Sequence, residues 1–316
     1  MCSSDLEPKV TAISIDGTPL SDIMKGSVPA TTLTATVIGA AGADLTYTWT
    51  SSNEDILTID SSGVVTPVDA GKAIVTAISS DPTKYNGVYL TILPEPTPPE
   101  TDLELWLDAS DLSTITESGG IVSQWDDKSG KGNHTVSVSS PSTGLETLNG
   151  RNVISFNSNY MNVPWTNVLP VGDSAYTILG VWKPNGNDQS LLFWGDGSYN
   201  RLLAIQANVG GITINHNWLI AAELNSVAGA ITAATNTLIS YDGTTRRTVS
   251  DGVTVSDTTG FAHSMASTPY RGIGGNNAYG YEITNGYIAE LMVWHKKLTA
   301  TEEADLQAYI LHKWGV

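Results

Sequence analysis

Two short stretches decide how this chain is read: Leu33-Thr-Ala-Thr-Val37 and Leu45-Thr-Tyr-Thr-Trp49. In each, apolar and polar side chains alternate with a period of two, the pattern of a strand with one buried face and one wet face. The alternation continues in Ile56-Leu-Thr-Ile59, Gly63-Val-Val65 and Ala73-Ile-Val-Thr-Ala77. Between these runs lie Ser51-Ser-Asn53, Asp60-Ser-Ser-Gly63 and Asp69-Ala-Gly71, made of residues that tight turns require. About seven short strands in about 85 residues predict a β-sandwich over residues 10–93.

Outward from that segment, Leu93-Pro-Glu-Pro-Thr-Pro-Pro-Glu100 concentrates proline. Such a stretch favours an extended polyproline II path at ~3.1 Å per residue, so 94–102 reads as a linker. From 103 to 316 the chain again reads as many strands, among them Val153-Ile-Ser-Phe156, Tyr176-Thr-Ile-Leu-Gly-Val-Trp182, Leu191-Leu-Phe-Trp194, Thr237-Leu-Ile-Ser-Tyr241 and Ile288-Ala-Glu-Leu-Met-Val-Trp294. Trp106, Trp125, Trp182 and Trp294 fall in such runs and are expected in the core, as is Trp49. Only the end differs. Thr299 with Glu302 predicts a capping box, and Leu306, Tyr309, Ile310 and Trp314 recur at helical spacing. His312 and Lys313 occupy the last turn before Gly315, the expected C-cap of a short helix.

Composition narrows function. Among 316 residues, 15 are basic and 32 acidic, a formal charge of −17. Phosphate backbones are bound by displacing counterions with Lys and Arg, so no nucleic acid partner is expected, and polyanionic substrates are disfavoured likewise. The hydrophobic share of 41% is enough to build cores. The one cysteine, Cys2, cannot form a disulfide within the chain. No apolar run reaches the ~18 residues of a membrane-spanning helix. Residues 1–9 form an N-terminal tail with two readings. Cys2-Ser-Ser-Asp5 resembles the start of a mature lipoprotein, while Cys2-Ser-Ser-Asp-Leu6 is also what a sequencing adapter encodes; the adapter reading is preferred.

The order Leu33-Thr-Ala-Thr-Val37, Trp49-Thr-Ser-Ser-Asn53, Ile59-Asp-Ser-Ser-Gly-Val-Val65 and Ala70-Gly-Lys-Ala-Ile-Val-Thr76 resembles the group 2 bacterial Ig-like domain. Leu105-Trp-Leu-Asp-Ala-Ser-Asp-Leu112, Val122-Ser-Gln-Trp-Asp-Asp-Lys-Ser-Gly-Lys-Gly-Asn-His134 and Gly286-Tyr-Ile-Ala-Glu-Leu-Met-Val-Trp294 resemble the concanavalin A-like lectin/glucanase superfamily, in its laminin-G-like form. Together the resemblances imply an all-β protein: an Ig-like β-sandwich as a spacer, then a concanavalin A-like jelly roll as a binding head. They imply an extracellular carbohydrate-binding or adhesion protein displayed on a phage virion or a bacterial surface. Its partners would be glycans or a host cell surface, with capsid or tail proteins engaged through the Ig-like domain. The alternative is a purely structural virion decoration or fibre protein.

Catalysis is not expected. Laminarinase-type members of the superfamily place Glu-x-Asp-x-Glu on a strand, where alternation aims the carboxylates at one face. Here Glu100-Thr-Asp-Leu-Glu104 begins in the linker, so Glu100 and Asp102 read as solvated charges. No cofactor is required. The resemblance implies calcium through Asp126, Asp127 and Asp196, against which stands the preferred reading that Asp126 and Asp127 make a turn. Sugars present flat C–H faces and fans of hydroxyls, so aromatic residues beside Asn and Asp in loops are the candidates: Trp194, Asp196, Tyr199, Asn215, Trp218, Asn276, Asn277, Tyr279 and Tyr281.

Overall fold

A computed structural model describes residues 7–16, 22–26, 31–162, 172–185, 189–195, 202–208, 211–215, 223–225, 233–250, 252–258, 270–276, 281–282 and 286–316. The chain divides into two compact units, Met1–Pro96 and Thr97–Val316, both built almost wholly from strands. The division falls inside the proline-rich stretch expected to be a linker. Its last residues belong to the second unit: Pro98 is buried, and the Pro99 carbonyl accepts a hydrogen bond from the Trp294 indole N–H at 2.7 Å.

In the first unit, Tyr85–Leu93 pairs antiparallel with Gly71–Ser79, which pairs with Tyr47–Ser51. Thr31–Thr32, Val64–Pro67 and Leu57–Ile59 make another sheet, and Val10–Asp16 pairs with Thr34–Gly39. Alternation does what the sequence promises along Gly71–Ser79: Ala73, Val75 and Ala77 are buried, with the side chains between them on the outer face. They join Leu33, Trp49, Leu57, Val65, Leu90 and Ile92 in one core. The expected inward position of Leu45 is not realised. Its strand starts only at Tyr47, because Asp44 caps a turn by accepting from the Thr46 amide, and Leu45 is left 49% exposed.

The second unit is two packed layers. In one, Val253–Thr258, Thr245–Ser250, Thr235–Tyr241, Tyr176–Pro184 and Gly286–Trp294 are neighbours in that order. The far edge of Gly286–Trp294 pairs with Leu103–Asp108 along one part and Arg151–Phe156 along the other. In the second layer the order is Glu223–Asn225, Gly211–Asn215, Leu202–Asn208, Gln189–Gly195 and Tyr270–Ile273, continuing through Met161–Asn162 and Thr135–Ser137 to Ile121–Trp125 and Ile115–Ser118. Between the layers lie Trp125, Phe156, Trp182, Trp194, Ile239 and Leu291.

Helix α1, Ala300–Trp314, packs on the outside of the first layer through Leu306, Tyr309, Ile310 and Trp314, which share a second core with Val181, Met292 and Trp294. Its ends follow the sequence signals. The Thr299 hydroxyl accepts from the Glu302 amide while Glu302 accepts from the Thr299 amide, and Gly315 closes the helix at φ 74°. Truncating a fully buried Trp of this kind costs about 3–5 kcal/mol.

One glycine of the first unit tests the turn reading directly. Gly63 sits at φ 83°, and a Cβ there would lie 2.1 Å from the Leu33 carbonyl oxygen, a backbone atom kept close by the 2.8 Å hydrogen bond from Leu33 N–H to the Gly63 carbonyl. Gly63→Ala is expected to destabilise the first unit by about 1–3 kcal/mol. Two-transition denaturation of the full chain should show the first unit's transition shifted and the other unmoved.

Candidate functional site

The second layer organises the sequence-derived candidates. In backbone register Trp194 lies opposite Leu203, and Ala204 opposite Asn215. Because these strands are antiparallel, the connection after Gly195 and the one after Asn215 leave from the same end of the layer. The first carries Asp196 and Tyr199, the second Trp218, all three outside the described residues. The third candidate segment lies elsewhere. The Gly274 amide donates to the Leu191 carbonyl, and the hairpin that follows pairs Asn276 with Tyr281 around residues 277–280, which include Asn277 and Tyr279 and are also outside the described residues. Leu191 is four residues from Gly195, so the hairpin begins about 13 Å along the strand from the shared end.

Trp194 itself is corrected. The expectation placed it in an exposed loop, but it lies on strand Gln189–Gly195 with its side chain 2% exposed, between the layers. The alternation that buries Leu192 on the same face buries the indole as well, so it packs rather than receives a ligand.

Of the two turn candidates, Asp127 bonds backbone amides as the turn reading requires, while Asp126 bonds side chains. Asp127 accepts from the amides of Trp106, Ser129 and Asn133 and from the Ser129 hydroxyl, and Asp126 accepts from the Gln124 side chain at 2.6 Å. The Asp127 oxygens therefore hold the 126–134 segment against strand Leu103–Asp108. Among the described residues, no group of three or more His, Cys, Asp or Glu side chains is placed to hold a metal. Glu100 and Asp102 are exposed, and Asp102 adopts φ 60°, which breaks the alternation that a strand-borne carboxylate trio requires; Glu104 pairs with Lys131 at 3.3 Å.

The densest polar chemistry lies where the sequence was read as core and helix end. Glu290 is fully buried in the middle of Gly286–Trp294, opposite Asp108 in register. Its Oε1 accepts from the Trp106 indole at 2.7 Å, the Tyr309 hydroxyl at 2.6 Å and Lys313 Nζ at 3.0 Å, and its Oε2 accepts from the Trp314 indole. Lys313 Nζ also lies 2.8 Å from Asp108 Oδ1, while Lys128 holds Asp108 Oδ2 at 2.8 Å and stands over the Trp106 ring. Burial raises the proton affinity of Glu290 despite the opposing pull of Lys313. For Asp108, burial works upward too, but Lys313, Lys128 and Ser110 outweigh it and hold the carboxyl at about 2. Lys313 stands in the last helical turn as expected and is 6% exposed there. One sequence expectation is corrected: Trp106 is only half-buried, its N–H used by Glu290.

Comparison with known proteins follows the same division. Residues 9–88, within the first unit, match the family described as bacterial Ig-like domain (group 2). Among solved structures, domain 4 of AbnA, an extracellular arabinanase from Geobacillus stearothermophilus in complex with arabinotriose, is similar with a TM-score of 0.51 and 14% identity, over 67% of this chain and 98% of that one. The binding domain of Paraclostridial Mosquitocidal Protein 1 (TM-score 0.46, 11% identity) and the receptor-binding domain of botulinum neurotoxin D (TM-score 0.44, 11% identity) are covered over about half their length, 52% in each case. They overlap 67% and 66% of this chain. At such identities the likeness to the arabinanase domain is one of fold. No curated protein matches the sequence.

The polar cluster and the surface ion pairs should separate sharply on mutation. Glu290→Ala removes the acceptor of four donors, the Trp106 and Trp314 indoles, the Tyr309 hydroxyl and the Lys313 ammonium, and leaves Lys313 a single carboxylate partner, Asp108, an expected loss of about 3–5 kcal/mol. Lys297→Ala, which breaks a pair with Asp242 whose side chains are 38% and 30% exposed, is expected to change stability by less than about 1 kcal/mol. Chemical denaturation of the second transition measures both.

Proposed function

We propose that the second unit is a non-catalytic carbohydrate-binding module, and that the chain displays it extracellularly, on a bacterial surface or a virion, with the Ig-like unit as spacer. The observation that carries this reading is topological. Strand pairing sets Gly195 and Asn215 at one end of a layer, and these are the residues after which the segments holding Asp196 and Tyr199, and Trp218, begin. Loops at the end of a packed scaffold are where binding residues concentrate, and an aromatic ring with Asn and Asp beside it fits a sugar's C–H face and hydroxyls. The fold supports the reading: a domain similar over nearly its whole length was solved with arabinotriose bound. Fold alone does not assign a ligand, so the site argument has to stand by itself.

Calcium is a variable to test. With Asp127 committed to backbone amides and Asp126 to the Gln124 side chain, Asp196 is the remaining candidate. The virion and cell-surface settings differ in what the Ig-like unit meets, capsid or tail proteins in the one and a cell envelope in the other.

The test is a glycan array that includes arabino-oligosaccharides, probed with the full chain with and without calcium. Neutral glycans are expected to bind. Tyr199→Ala and Trp218→Ala should each weaken binding by about tenfold, the effect of ~1.4 kcal/mol of stacking, while Tyr279→Ala at the distant hairpin should not. No binding under either condition, or binding indifferent to both Tyr199 and Trp218, would remove the proposal. Non-binding protein that remains fixed to purified particles would favour the purely structural virion role instead.

A further inference from the structure

We propose that Lys313 and Asp108 become joined by an intramolecular amide bond, with Glu290 carrying the protons. This proposal is independent of the glycan reading. The reacting groups are already in contact. Lys313 Nζ lies 2.8 Å from Asp108 Oδ1 and 3.0 Å from Glu290 Oε1, and the three side chains are 8%, 4% and 0% exposed. Groups held at such a distance react as though at very high concentration.

Condensation also needs a dry site, and aromatic rings supply it. Lys313 Nζ stands 5.1 Å from the ring centres of both Tyr309 and Trp314, and the Trp106 indole closes over Glu290. A buried carboxyl with raised proton affinity is suited to take a proton from the neighbouring ammonium and return it. Asp108 starts as a carboxylate, a poor acyl acceptor on its own. Here Lys128 at Oδ2, and the Ser110 amide and hydroxyl at Oδ1, polarise Cγ and are placed to hold the charge of a tetrahedral intermediate.

The step balances without any other reactant. Glu290 takes one proton from the Lys313 ammonium, and the freed amine attacks Asp108 Cγ to form the C–N bond. A second proton then leaves the nitrogen, and Glu290 relays both to the departing Asp108 oxygen. The C–O bond breaks, one water leaves, Glu290 is again a carboxylate, and the charges of Lys313 and Asp108 have cancelled into a neutral amide. The removal of two charges from a buried site favours the product.

Other lysine–carboxylate pairs among the described residues lack this arrangement. Lys25–Asp69, Lys131–Glu104, Lys296–Glu302 and Lys297–Asp242 have lysines 22% to 50% exposed and no second buried carboxyl at the nitrogen. Lys128 is 25% exposed and is bound by Asp108 and Asp111 without a fully buried proton carrier. The bond would tether the first strand of the second unit, Leu103–Asp108, to helix α1 at its last turn.

The experiment is intact mass measurement of the denatured full chain, followed by digestion and fragmentation. The expected result is a mass 18 Da below the sequence value and a branched peptide linking Asp108 to Lys313. Lys313→Arg, which keeps the charge but cannot form the bond, and the near-isosteric Glu290→Gln should both return the full mass. The wild-type mass decides the matter even where a variant fails to fold. An unmodified wild-type mass after prolonged incubation would overturn the proposal. So would an 18 Da loss that fragmentation places at a succinimide or at Lys128.

Discussion

The second unit depends on one constraint: a carboxylate, Glu290, sits at the centre of a strand whose nine residues are all buried. An ion in that position costs several kcal/mol of lost hydration, and the cost is offset only if every lone pair finds a donor. Glu290 meets it with donors drawn from two other elements, Trp106 on the first strand and Tyr309, Lys313 and Trp314 on the terminal helix. Pairing of Leu103–Asp108 and docking of α1 are therefore conditions for burying that strand at all. The charge also supplies specificity that the apolar residues lack. A run buried on both faces has no polar face to resist a one-residue slip, whereas a slip here would carry Glu290 away from Asp108, its register partner, and from Lys313.

What could be read in advance follows from how local the determining interaction is. The capping box at Thr299 and Glu302, the C-cap at Gly315 and the alternation along Ala73–Ala77 are settled within a few residues, and each was legible. The Glu290 cluster was not, because Trp106 and Glu290 are 184 positions apart and nothing in either neighbourhood names the other. Two signals pointed to it nonetheless. A lone acid inside Ile288-Ala-Glu-Leu-Met-Val293 demands a partner, and Lys313 falls on the same helical face as Tyr309 and Ile310 rather than on the solvent side. Trp194 failed for a related reason. A tryptophan followed by Gly-Asp-Gly reads as the start of a loop, yet strand pairing with Leu203 and Arg271 extends through it and its parity sends the ring inward.

The candidate binding end was legible residue by residue but not as a grouping. Three loops stood equal in the sequence; antiparallel pairing puts the strand ends that two of them leave from together, and the start of the third about 13 Å along the strand. Spatial order among loops is a property of the sheet, and no pattern within a loop encodes it.

Charge then limits what such an end can receive. Of the eleven lysines and arginines in the second unit, six are seen in ion pairs among the described residues: Lys128 and Lys313 with Asp108 and Glu290, Arg247 with Glu303 of α1, and Lys131, Lys296 and Lys297 with Glu104, Glu302 and Asp242. Their positive charge is engaged in holding strands, turns and helix together, and the chain's formal charge is −17. A net charge of that sign and size opposes the long-range approach of a polyanion. Under the proposed reading, recognition rests on short-range contacts, ring stacking and hydrogen bonds, for which a neutral glycan is the better-suited class of ligand.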